Sequence, residues 1–181
     1  MKKLAVLPLV ILLILGVVVT IGAQDSGTPP KPGPEHAKLS YFAGKWISEG
    51  DMKPSPYGPG GKFTFTETCE WYSGNFALVC NSEGKMFGTT VKGMSIMSYD
   101  PGEKSYVYFE TNNMGENNYS RGSVDGDTWT WTGESKMNGQ TVHSRFTLKR
   151  ISDDVSSYKF EMGAGSEPLA LVMEGKQTRQ K

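Results

Sequence analysis

The sequence predicts an all-β fold: an antiparallel up-and-down β-barrel of about eight to ten strands, preceded by one short helix. Three observations predict it. Beyond residue 44 no stretch holds a helical period, and short alternating apolar and polar runs follow one another instead. Gly, Asn, Asp and Pro divide those runs at hairpin spacing. Aromatic residues make up 11% of the chain and Gly contributes 22 residues, a composition of turn-rich β structure rather than of disorder.

The elements follow in order. Residues 34–42 form a short helical candidate: Pro34 suits its first turn, Glu35 its positive end, and Gly44 its stop. About ten strands come next, at 44–52, 62–72, 75–83, 89–99, 104–112, 117–125, 127–135, 139–150, 155–163 and 168–179. Gly74-Asn75 reads as a two-residue hairpin loop, and Asp125-Gly126 and Asn138-Gly139 as further hairpin turns. Tyr99-Asp100-Pro101-Gly102 is a turn in which Pro presets φ. Residues 54–61 form the one long loop, of a kind that covers a barrel mouth. A meander of this length closes on itself to remove its edges; a two-sheet sandwich is the alternative.

Strand parity sorts the faces. Trp129 and Trp131 share one side, with Thr128, Thr130 and Thr132 on the other. Val142, Phe146 and Leu148 share a face opposite His143, Arg145, Thr147 and Lys149. Tyr158, Phe160 and Met162 lie together, as do Leu169, Leu171 and Met173. Such half-apolar strands have one buried and one wet face.

Upstream of the domain, Lys2-Lys3, the apolar run 4–19 and Ile21-Gly22-Ala23 have the layout of a secretory signal peptide, residues 1–23. The expectation is export, to a periplasmic or secreted location. An uncleaved inner-membrane anchor over residues 4–23 is the alternative. Residues 24–34, rich in Pro, form a linker, and 35–181 the barrel domain. The chain has 19 basic and 19 acidic residues; loss of Lys2 and Lys3 leaves 17 against 19 and a net charge of −2. That balance argues against a nucleic-acid binder and against electrostatic attachment to anionic lipid.

Cys69 and Cys80 are the only cysteines. With Gly74-Asn75 as the loop, Trp71 faces Leu78 and Cys69 faces Cys80 on the same side, so a cross-strand disulfide is expected in an oxidising compartment. In that register the pair falls on a hydrogen-bonded site, with Cα atoms about 5.5 Å apart. Two cysteines and a polar-face histidine do not make a zinc site, and no metal or cofactor is expected.

Gly44-Lys45-Trp46 opens the first strand and Arg179 closes the last. This pairing resembles the calycin signature of lipocalins and fatty-acid-binding proteins. There the Trp closes the barrel floor and the Arg packs over it, so Gly44, Trp46 and Arg179 take structural roles. With residues 39–46, Tyr99-Asp100-Pro101 and the 122–127 segment, the chain is similar to a bacterial family of exported, lipocalin-like proteins of unknown function. The resemblance implies a barrel and no established activity. The eight strands of a lipocalin are fewer than the candidates here.

No catalytic arrangement is visible, and the chain is expected not to be an enzyme. Its two histidines are His36, ahead of the barrel, and His143, on a polar face. The apolar inward residues are the remaining candidates. Trp71, Phe76, Leu78, Trp129, Trp131, Phe146, Phe160 and Met162 either fill the core or line a cavity for a small hydrophobic or amphipathic ligand. Met94, Met97 and Met173 suit an adaptable pocket and fill gaps equally well. Tyr106, Tyr108 or Arg121 would orient such a ligand. A filled barrel would serve instead as a structural or interaction module of the cell envelope.

Overall fold

The computed structural model describes residues 30–137 and 139–181. The expected signal segment, most of the linker and Asn138 of the Asn-Gly turn lie outside them. Lys31–Lys181 forms one compact unit. A helical turn α1 (Pro34–Lys38) runs into a 3-10 turn (Leu39–Tyr41), followed by β1 (Gly44–Met52), β2 (Gly61–Trp71), β3 (Ala77–Met86), β4 (Thr89–Asp100) and β5 (Ser105–Asn112). Then come β6 (Asn117–Asp125), β7 (Thr128–Met137), β8 (Gln140–Arg150), β9 (Val155–Ala164) and β10 (Ala170–Gln180). Every strand pairs antiparallel with its sequence neighbours, and β1 pairs with β10, so the sheet closes as a ten-stranded barrel. Closure leaves no edge to recruit another chain, which is the physical reason a meander of this length forms a barrel rather than a sandwich. Ten strands replace the eight of a lipocalin.

The hairpins differ from the sequence reading in two places. The β2–β3 loop spans four residues, because Tyr72 and Ala77 form the first hydrogen-bonded pair. The register is unchanged, with Trp71 opposite Leu78 and Cys69 opposite Cys80. The hydrogen-bonded positions shift by one, however. The cysteines therefore occupy a closer, non-hydrogen-bonded site with a Cα separation of 4.0 Å, and they are disulfide-bonded. In β10 the register shifts between Leu171 and Met173. This bulge turns Leu171 outward, 36% exposed, while Val172 is buried; Leu171 and Met173 do not share a face. The β3–β4 connection is a two-residue turn, Phe87-Gly88, with both φ angles positive.

The two ends of the barrel are built differently. The helical turns close the end that carries the β2–β3, β4–β5, β6–β7 and β8–β9 loops. His36 Nδ1 accepts the Gly33 N–H and the imidazole meets Phe76 and Tyr99 edge-on. The Tyr106 hydroxyl donates to the Glu35 carboxylate at 2.6 Å. Phe42 packs on Trp129 and Trp131. Trp46 donates its indole N–H to the Phe42 carbonyl at 3.0 Å, and Arg179 stacks on its ring at 4.2 Å. The guanidinium also donates to the carbonyls of Tyr41 and Ala43, fixing the floor to the helical plug. Leu39, Trp46, Leu78 and Leu148 are at most 2% exposed here.

Candidate functional site

The other half of the interior lies between the plugged floor and the 53–60 loop with the β3–β4, β5–β6 and β9–β10 connections. Inward residues there are mostly half-buried: Phe65, Glu67 and Ser82 on one wall, Tyr108 and Glu110 beside them, and Phe146, Phe160, Met162 and Met173 facing them on β8 to β10. Phe63, Val91, Val142 and Val172, near the rim, are the buried exceptions. One wall of this lumen is therefore polar and the other apolar.

Glycines shape the lumen. Gly50, Gly84, Gly122 and Gly175 each lie directly opposite an aromatic, respectively Phe63, Phe65, Trp131 and Tyr158. A side chain at any of the four would collide with that ring. The rings thus fold back over their glycine partners, along the wall rather than across the barrel. Gly93 does the same for polar groups: a Cβ there would sit 2.8 Å from Ser82 Oγ and 3.7 Å from Glu110 Oε1.

The polar wall carries the unusual chemistry. Glu67, opposite Ser82, places its carboxyl within 4.8 Å of both disulfide sulfurs. This grouping is no metal site, because sulfurs joined in a disulfide are not thiolate ligands and one carboxylate remains. Burial, and then the charge of Glu110, push the Glu67 carboxyl up to about 7. Burial also raises Glu110, although Tyr108 donates a hydrogen bond to its Oε2 at 3.1 Å. Burial raises Tyr108 well above the usual phenol range, so it stays a donor at neutral pH. Ser95 lies opposite Glu110, is 4% exposed, and has its hydroxyl beside that of Tyr108 without a close hydrogen bond. The Tyr158 hydroxyl is buried beside Ser48, and the Trp131 indole N–H is buried without a partner among the described residues. Buried polar groups are nearly always satisfied, so these loosely held ones stand out in the interior.

The residues singled out from the sequence divide between the two halves. Leu78, Tyr106 and Trp129 are packed into the closed end, and Phe76 borders the same plug against His36. Trp71 packs against that core. Trp131 stacks on Trp129 and reaches toward Phe146. Tyr108, Phe146, Phe160 and Met162 line the open half. Arg121 points away from the lumen: it is exposed, hydrogen-bonded to Ser105 and 3.7 Å from Asp100, so it cannot orient a ligand inside. His143 lies on the outer face beside Glu134, at 3.1 Å. Sequence reasoning missed Glu67, Ser95 and Glu110. Parity held the signal, since Glu67 interrupts the inward series Phe63, Phe65, Cys69 and Trp71, and Glu110 continues Tyr106 and Tyr108.

A shallow concavity of about 800 Å³ also lies on the outer wall over Gly50 and Gly175. Charged and hydroxyl side chains such as Lys62, Lys159, Lys176 and Glu174 rim it, and solvent screens them. It offers no enclosed polar group.

Residues 31–179 match a family described as protein of unknown function (DUF1579). The chain belongs to that family. No curated protein matches it. Among solved structures it is similar to Rv2717c from M. tuberculosis, at 17% identity and a TM-score of 0.58, covering 82% of this chain and 99% of that one. It is also similar to the S-type phycobiliprotein lyase CPES from Guillardia theta, at 10% identity and a TM-score of 0.55, covering 81% and 93%. At these identities the likeness is one of fold.

Proposed function

We propose that this DUF1579 protein binds one small amphipathic molecule in the open half of its barrel. The observation that carries the reading is the split interior: one end is sealed by the helical plug, and inward side chains of the other stay half-buried on facing polar and apolar walls. Binding pockets combine an apolar lining with a few placed polar groups in this way. The buried Ser95 hydroxyl, which makes no close hydrogen bond among the described residues, supports it further. The fold shared with a lyase adds no substrate, because fold alone does not transfer activity. The signal-like residues 1–23 and the Cys69–Cys80 disulfide support a working location in an oxidising compartment outside the cytoplasm.

The test is titration of the purified protein with the neutral dye Nile red, whose emission shifts blue in an apolar site. Saturable one-site binding is expected. Ser144→Trp, which projects an indole into the lumen opposite Met162 and Gly133, should weaken it at least about tenfold by occupying the space. Absence of saturable binding, or binding indifferent to Ser144→Trp, would sink the reading.

A second reading has its own observation. Ile96, Phe109 and Tyr119 stand side by side on the outer wall, each more than a third exposed. That stripe suits an envelope interaction module. The same titration separates the two, since a module with a filled barrel binds no dye.

A further inference from the structure

Two carboxyls turned into one lumen raise the question of their counter-charge. None of the ion pairs among the described residues includes Glu67 or Glu110. The cation closest in register is Arg179, on the strand beyond Trp46, and it is committed to the Trp46 ring, the Tyr41 and Ala43 carbonyls and Asp154. Carboxylates in a low-dielectric enclosure are costly without a partner. A second, independent feature points to the same spot. The Ser95 hydroxyl, more than nine-tenths buried, faces inward opposite Glu110 and beside Tyr108, and makes no close hydrogen bond among the described residues.

We propose that the ligand of this lumen is an amphipathic cation. Its protonated amine, or a comparable N–H-bearing cationic head, sits between Glu67 and Glu110 and donates to both carboxylates and to Ser95 Oγ. Its apolar body lies along Phe146 and Phe160 on the facing wall. The inference rests on the lumen-binding reading above and adds the charge of the occupant. Charge-assisted hydrogen bonds of this kind are roughly twice as strong as neutral ones, and the enclosure strengthens them.

The titration of Glu67 supports the assignment and gives it a signature. The elements around Glu67 present Phe65 and Cys69 on its own strand, Trp46 on β1, Ser82 and Cys80 on β3, Gly93 on β4, and Tyr108 and Glu110 on β5. Of these, Tyr108 and Glu110 are titratable, and Tyr108 remains neutral. The charge of Glu110 helps hold Glu67 protonated up to about 7. A bound cation favours the ionised form, so binding expels a proton below that midpoint and tightens as pH rises through it.

Isothermal titration calorimetry with decylammonium, decanol and decanoate tests the proposal. Decylammonium is expected to bind at least about tenfold more tightly than decanol, with decanoate weakest. Its affinity should rise from about one pH unit below the Glu67 midpoint to about one above. Glu67→Gln and Glu110→Gln should each erase most of the ammonium preference while leaving decanol affinity intact, which also shows that the variants fold. Equal binding of decanol and decylammonium, or a preference that survives both substitutions, overturns the cation assignment and leaves lumen binding standing. Binding of none of the three probes removes the lumen reading and this inference together.

Discussion

The two halves of this barrel share ten strands and one continuous hydrogen-bonded wall, yet their interiors solve opposite problems. At the helix end Trp46, Leu78, Trp129 and Leu148 are packed to 4% exposure or less, and Phe42 meets the stacked Trp129 and Trp131 rings edge-on. Toward the mouth Phe63 and Phe65 lie back over Gly50 and Gly84, and Glu67, Ser95 and Glu110 occupy positions that a packed core would fill with apolar groups. The difference teaches where the stability resides. A closed barrel wall satisfies its own backbone along its whole length. Apolar burial concentrated at one end can hold the fold while the other end gives up packing for polar, unpaired groups. Such concessions are a mark of functional sites.

The largest expected effect breaks or upholds that division. Trp46→Ala removes a side chain 2% exposed, its hydrogen bond to Phe42 and the surface on which Arg179 stacks. It should cost about 3–5 kcal/mol, in line with large-to-small changes of buried aromatics. Phe160→Ala, in the half-buried wall of the lumen, should cost about 1–2 kcal/mol, since the ring is already in contact with water. Urea unfolding compares the two. Equal losses would mean that both halves are packed cores.

The disulfide joins the halves, since Cys69 and Cys80 are buried at 2% and 1% beneath Glu67. It closes a loop with a sequence separation of 11, for which unfolded-chain entropy gives about 3 kcal/mol. The double variant Cys69→Ala/Cys80→Ala should lose about that much, read as a lower urea midpoint that dithiothreitol does not lower further. A variant as stable as the oxidised protein would show that the closed end alone carries the fold.

Much of this architecture is legible in the sequence. Alternation and turn residues give all ten strands, and β1 matches its expected span from Gly44 to Met52. The Cys69–Cys80 register follows from centring the hairpin on Gly74-Asn75, and parity puts Trp129 and Trp131 on one face. Tertiary context decides the remainder. The wider β2–β3 loop depends on which pair first hydrogen-bonds, and the bulge at Leu171–Met173 on how β10 closes against β9 and β1. The site was hidden for a different reason. Apolar residues advertise an interior whether it is packed or open, so Leu78, Tyr106 and Trp129, which belong to the plug, carry the same signal as lumen residues. The residues that distinguish the lumen are glutamates at inward parity, and only the closure of strands β2 to β5 brings Glu67, Ser95 and Glu110 onto one wall.

The smallest effect sharpens the contrast through pH. Glu67 is raised in the fold from its ordinary 4.5 to about 7. Between those values the unfolded chain has already released this proton and the folded one retains it. The unfolded state then binds fewer protons, so the contribution of Glu67 to stability falls as pH rises through the window and is level on either side. The shift of about 2.5 units sets an upper bound of about 3 kcal/mol, and water reaching the lumen brings the expected loss to about 1–2 kcal/mol. Glu67→Gln keeps the shape and removes the titration. The variant should match the wild-type pH profile below about 4.5, diverge across the window and stand about 1–2 kcal/mol more stable above about 7. Glu110 shifts in the same direction and remains in the variant, so a shallower fall should persist there. Urea midpoints measured across this range decide the matter. Parallel profiles for the two proteins would mean that Glu67 is hydrated as freely in the fold as out of it, and the polar wall would then be solvent-facing surface rather than the inside of a binding site.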